Sequence, residues 1–204
     1  MCRVLITAFA PYDQWDRNAS WLALVALTSE LPDHPEITTR LYPANLDALR
    51  EHLQADLADE YDVTIHLGQH PGSSALALEA IGINVAQPLP TSLSHALPLV
   101  PDGPVAYRSP LPLERWAQLL RSSGVPAVVS YHAGTYLCNA ALFLAQHIIA
   151  ENGYKSQSTF IHVPLDTTQT VDAQGPLPAL PSALVARGLR VVLNDIADSV
   201  DAAR

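Results

Sequence analysis

The chain has 204 residues, 49% of them hydrophobic and 15% charged, with a formal net charge of -9. That is ample apolar material for one buried core and too much for a disordered chain. With Lys155 as the only lysine and no cluster of Lys or Arg, nucleic acid and anionic membranes are poor partners.

Short apolar runs alternate with segments of helical period. Residues 4–8, Val-Leu-Ile-Thr-Ala, make a buried-strand pattern closed by Pro11. Trp21, Leu24, Val25, Thr28 and Leu31 recur at helical spacing, and Pro32 stops that helix. Residues 37–41 are β-rich. Leu46, Leu49, Leu53 and Leu57 form a helical stripe with Asn45 as its N-cap. Residues 63–67 read as a strand ended by Gly68, and the apolar run 75–85 fits more than one element. Five prolines in 88–104 predict an irregular, exposed excursion. A helix follows around Leu113, Trp116, Leu119 and Leu120, then a strand over 127–131. Residues 139–149 form the next helix, ended by Asn152-Gly153; 159–163 form a strand ended by Pro164. Residues 175–181 are a proline-rich linker, and 183–196 a last helix.

Strands alternating with helices predict a single α/β domain over 1–204 with a mostly parallel twisted sheet covered on both faces. Cys2 and Cys138 make no disulfide framework, and no Cys or His spacing reads as a zinc site. His66, Gln69 and His70 lack a further ligand at supportive spacing, so no metal is expected. No stretch approaches the ~18 apolar residues of a membrane span, and the opening apolar run is too short for a signal peptide. These features predict a soluble, cytoplasmic protein. No GxSxG elbow, phosphate loop or dinucleotide fingerprint occurs.

Ligands of open α/β sheets bind beyond the carboxyl ends of the strands. The residues there are Phe9, Tyr12 and Asn18, then Gln69 and His70, then 132–138, then His162. A thiol, an imidazole, a carboxamide and two aromatics become candidates for one sheet edge. Cys138 opens a helix, whose free N–H groups and dipole favour a thiolate and a developing oxyanion. His162 is a candidate base for it. Glu79, the one charge in its apolar run, is a candidate to orient the imidazole. By pattern alone, Cys138 also fits an inert core thiol, His162 a packing residue and Glu79 an exposed position.

At these residues the sequence resembles the pyroglutamyl peptidase I family of cysteine peptidases. Residues 4–12 resemble the family's opening strand and its Gly-Phe-x-Pro-Phe-Gly-Gly turn, and 17–21 its Asn-Pro-Ser-Trp. Residues 67–69 resemble its Gly-Gln segment, and 78–85 its Pro-Glu-Arg-Val-Ala-Ile-Asn-Val. Residues 130–139, Ser-Tyr-His-Ala-Gly-Thr-Tyr-Leu-Cys-Asn, are similar to its nucleophile motif, and 160–164 to its Phe-Ile-His-hydrophobic-Pro. The resemblance implies an α/β/α sandwich, often a tetramer, that removes an N-terminal pyroglutamyl residue from small blocked peptides without metal or cofactor. It makes Cys138 the nucleophile, His162 the general base and Glu79 the orienting carboxylate. Phe9 and Tyr12 would hold the lactam ring, with Asn18 and Gln69 near it.

Four departures stand out. Ala80 replaces an Arg that the family places by the oxyanion site, and 71–74, Pro-Gly-Ser-Ser, lose another Arg. Asp13-Gln14 replaces a double glycine, and 89–92 replace a Pro-Asp-Asn-Glu-Gly loop. These leave open an amidohydrolase acting on another small amide or lactam, and a binding homologue with impaired turnover.

Overall fold

The computed structural model describes residues 2–87 and 96–202. Its elements are β1 (Arg3–Phe9), α1 (Ala19–Thr28), β2 (Glu36–Tyr42), α2 (Leu46–Leu57), β3 (Val63–Gln69), β4 (Leu76–Glu79), β5 (Ile81–Ile83), β6 (Ala106–Arg108), α3 (Leu113–Ser122), β7 (Ala127–Ser130), α4 (Leu137–Asn152), β8 (Gln157–Val163) and α5 (Ser182–Ala202), with a 3-10 turn at Thr167–Gln169.

Six strands form one sheet in the order β2-β1-β3-β8-β4-β7. All neighbours are parallel except β8 and β4. The chain is therefore an α/β sandwich on a mixed, mostly parallel sheet. One departure from expectation matters. β4 and β7 run against the other four strands, so the carboxyl end of 127–130 does not share the edge reached by β1, β3 and β8.

Strand alternation sorts the residues into two layers. Val4, Ile6, Val63, Ile65, Leu76, Leu78, Ile161 and Val163 pack with Leu24, Trp116, Leu189 and Val192 from α1, α3 and α5. The opposite face meets α2 and α4 through Phe9, Tyr42, Leu49, Leu53, Phe143 and Phe160. Asn45 caps α2 as expected, accepting from the N–H of Asp47 and Ala48 at 3.0 and 3.1 Å. α1 stops at Thr28, before Pro32. The run 75–85 resolves into β4 and β5, and β5 pairs with β6 in a separate ribbon. Of the proline-rich excursion, 88–95 lie outside the described residues. Its remainder is pinned by Asn84, whose Oδ1 accepts from Val100 N at 2.9 Å and whose Nδ2 donates to Val100 O at 2.7 Å. Among the described residues no helix is long and apolar enough to cross a membrane.

His66 lies on β3, wholly buried, with Nδ1 2.8 Å from Thr7 Oγ1. Burial pushes its pKa down from 6.5 to about 4, against a weaker pull from Asp56. Between those values the unfolded chain binds a proton that the folded chain refuses, so stability falls as pH drops through that window. The loss reaches about 3 kcal/mol at full effect. Thermal unfolding between about pH 7 and pH 4 checks this: His66→Gln should flatten the acid decline of the melting temperature. An equally steep decline in the variant would exclude His66 as its cause.

Candidate active site

His162 and Gly68 are paired across β8 and β3, and Ala77 faces His162 from β4. Glu79 stands two residues along β4 on the same face as Ala77. Such diagonal cross-strand neighbours lie within reach of long side chains. Glu79 Oε1 accepts from His162 Nδ1 at 2.7 Å. Both residues are buried, at 1% and 7% relative exposure, so the pattern that would expose Glu79 is overridden.

α4 brings Cys138 to the same imidazole. Its N-cap, Tyr136, makes no side-chain cap hydrogen bond, so the first-turn N–H groups stay available to a ligand. The sulfur acts on His162 both as a charge and as a hydrogen-bond partner. Burial alone would lower the imidazole pKa. Cys138 and then Glu79 outweigh it and push the value up to about 10. His162 is thus an imidazolium at neutral pH, between a sulfur and a carboxylate.

A cavity of about 40 Å³ opens on Cys138. It has room for about three waters. Phe9, Tyr12, Asn18 and Gln69 all line it, with Ala44, Gly68, Tyr136 and Leu137. Burial first, then Cys138, raises the Tyr12 hydroxyl pKa to about 12, so it remains a neutral donor. The Asn18 side chain is occupied in capping α1: Oδ1 accepts from Ser20 N at 3.0 Å and Nδ2 donates to Ala10 O at 3.1 Å. Gln69 Oε1 accepts from Ala19 N and from Gln169 Nε2, both at 2.8 Å. That fixes the amide orientation. Tyr12 faces Gln69, yet among the described residues the buried Nε2 meets no acceptor at hydrogen-bond geometry.

Several contributors have no strong signal in the sequence. Asn139 is fully buried; its Oδ1 accepts from Ile83 N at 2.9 Å and its Nδ2 donates to Ile83 O and Val85 O at 2.9 and 3.0 Å. This ties the first turn of α4 to the strand that follows Glu79. The Phe160 ring packs on His162 at 4.9 Å between centroids. Gly68 is needed for close approach, since a Cβ there would stand 2.4 Å from Phe160 Cζ and 3.0 Å from Cys138 Sγ. Its place at the end of an apolar strand was the available hint. His66 and His70 part company: His66 bonds Thr7, while His70 lies 5.0 Å from His162 between ring centroids. Among the described residues no group of three or more His, Cys, Asp or Glu could hold a metal ion.

The family model for pyroglutamyl peptidase matches residues 2–199. The chain belongs to the pyroglutamyl peptidase family. Its relatives include the pyrrolidone-carboxylate peptidase of Streptomyces coelicolor, 39% identical over 95% of this chain and 91% of that protein. The one from Thermococcus kodakarensis is 32% identical over 94% of each. Among solved structures, the pyrrolidone carboxyl peptidase of Fervidobacterium islandicum superposes with a TM-score of 0.90 at 26% identity, covering 97% of this chain and 99% of that one. The pyrrolidone carboxyl peptidase of Thermococcus litoralis gives 0.87 at 26%, covering 100% and 97%. The family is one of cysteine-type peptidases, and this chain is an enzyme of that type.

Within that family the Ala80 substitution takes on a different meaning. Alternation turns position 80 to the face opposite Glu79, and Ala80 is buried in the apolar layer of α1, α3 and α5. The small side chain is matched to that layer rather than to a gap beside Cys138.

Gly68→Ala should cost about 1–3 kcal/mol of stability through overpacking and slow alkylation of Cys138 by iodoacetamide. Calorimetry and the alkylation rate check both. An unaltered melting temperature and rate would mean that Phe160 and Cys138 can move aside.

Proposed function

We propose that this enzyme removes N-terminal pyroglutamyl residues from small peptides through Cys138, His162 and Glu79. The observation that carries the reading is the line of Cys138 sulfur, His162 imidazolium and buried Glu79 carboxylate at the mouth of a small cavity. Family membership supports the choice of substrate.

The Cys138 thiolate attacks the pyroglutamyl carbonyl carbon. First-turn N–H groups of α4 receive the oxyanion, and Glu79 holds the ring of His162 in place. The carbon–nitrogen bond breaks as His162 gives its proton to the leaving amine, and a thioester remains. Water then attacks the thioester, His162 takes the water proton, and the thiolate departs. Thiolate and imidazolium are both restored. The acyl ring lies between Phe9 and Tyr12. Gln69 Nε2, without an acceptor among the described residues, is suited to donate to the lactam carbonyl, and Tyr12 adds a second donor. Asn18 acts by capping α1 behind the cavity wall. Among the described residues that line the cavity there is no carboxylate to receive a free ammonium, in keeping with a blocked substrate.

A second reading has one observation in its favour. A mostly apolar cavity of about 440 Å³ adjoins the first through Ala44, Tyr136 and Leu137. Acyl groups larger than pyroglutamyl would need that space, and a panel of acyl-aminomethylcoumarins ranks them against pyroglutamyl.

Pyroglutamyl-aminomethylcoumarin should be hydrolysed by the wild type and not by Cys138→Ala; retained turnover would remove Cys138 as nucleophile. Phe9→Ala should raise KM while iodoacetamide alkylation of Cys138 is nearly unchanged. The His162 proton is needed for the leaving amine. Activity should therefore be lost as pH rises through about 10, and a plateau well beyond that value would contradict an imidazolium acid.

A further inference from the structure

We propose that His70 is a specificity residue: its imidazole lines the path of the departing peptide and, once charged, favours an acidic side chain directly after the pyroglutamyl residue. This rests on the peptidase reading above and extends it to the far side of the scissile bond.

The direction of departure follows from the hydrogen bonds. His162 Nδ1 is occupied by Glu79, so the leaving amine has to take its proton from Nε2. The acyl cavity is lined by neither His162 nor His70. The departing chain therefore leaves Cys138 on the His162 side, outside that cavity. The imidazole of His70 stands there, solvent-exposed and 5.0 Å from the ring of His162.

Its backbone is held firmly. His70 N–H donates to Val163 O at 2.8 Å, extending the β3–β8 ladder by one residue, and His70 O accepts from Ser73 N at 3.2 Å. Pro71 restricts the conformation of the residue before it. The side chain is thus presented at a fixed place beside the catalytic ring.

Two charged groups act on it, His162 from β8 and Glu79 from β4. Burial and then His162 hold its pKa below the ordinary histidine value, against the pull of Glu79. His70 therefore takes up its charge at a lower pH than an ordinary histidine. An aspartyl side chain leaving past it gains a partner as pH falls, and a lysyl side chain meets repulsion.

The experiment compares kcat/KM for pyroglutamyl-aspartyl-alanine amide and pyroglutamyl-lysyl-alanine amide at low salt, at about pH 8 and about pH 5, where aspartate is still ionised. In the wild type the aspartyl-to-lysyl ratio should rise about fivefold towards acid, the scale of exposed charge pairs. His70→Gln should hold the ratio level, and His70→Lys should hold it high at both pH values. The comparison within one enzyme preparation cancels any general loss of activity, and the wild-type ratio stands without either variant. A wild-type ratio that does not move, or one that moves equally in His70→Gln, overturns the role of His70 while leaving the peptidase reading intact. Absence of cleavage of both peptides by the wild type overturns both.

Discussion

The site hangs on one buried hydrogen bond, from His162 Nδ1 to Glu79 Oε1. A carboxylate taken out of water is costly unless a charged or donating partner meets it. Here the partner is an imidazolium, and its charge is sustained from the other side by Cys138. Each member makes the state of its neighbour tolerable. Glu79 Oε2 has no partner among the described residues, so the bond to His162 is what compensates this carboxylate. Removing the imidazole would strand a buried charge, and removing the carboxylate would free the ring to turn.

That bond also depends on a reversal in the sheet. β4 runs antiparallel to β8, which sets Ala77 opposite His162 and Glu79 on the diagonal. A slip of one residue would turn Glu79 into the apolar layer and Leu78 towards the imidazole. The apolar cluster built by Leu76, Leu78 and Ala80 against α3 and α5 opposes such a slip. Packing on one face of the sheet thereby fixes the chemistry on the other. The α2/α4 face is correspondingly polar, with Thr7, Thr64, His66, Glu79 and His162 buried there.

The sequence carried the strands, the helices and the Asn45 cap because these depend on local period and capping chemistry. It carried Cys138, His162 and Glu79 chiefly through a motif resemblance; by pattern alone Glu79 reads as an exposed position. Strand direction was not legible, since a run such as 127–130 looks the same whichever way it is inserted. β7 does not point to the site edge, so Cys138 comes to His162 from the N-terminus of α4, the helix it was expected to open, and not from the carboxyl end of a strand sharing that edge. Gln69 illustrates the same limit. Its Nε2 is left without an acceptor among the described residues while Ala19 and Gln169, distant in sequence, occupy its oxygen. His70 lay within an unsupported metal pattern, and only the fold sets it against His162 and apart from His66.

Fixing the Cys138 sulfur relative to the Glu79 carboxylate needs more than the imidazole between them. Asn139, next to Cys138, grips the backbone of Ile83 and Val85. Those residues lie four and six positions after Glu79, Ile83 at the end of β5 and Val85 two residues beyond it. The chain path from Glu79 to Cys138 is thereby shortened to one side-chain clamp and a few residues of extended backbone. Asn84, between the two gripped residues, holds Val100 in turn. The second carboxamide binds the proline-rich excursion to the same stretch of chain that the first binds to α4. The excursion and the first turn of α4 are thereby anchored to one short stretch of chain, even though none of the excursion's described residues lines the cavity on Cys138.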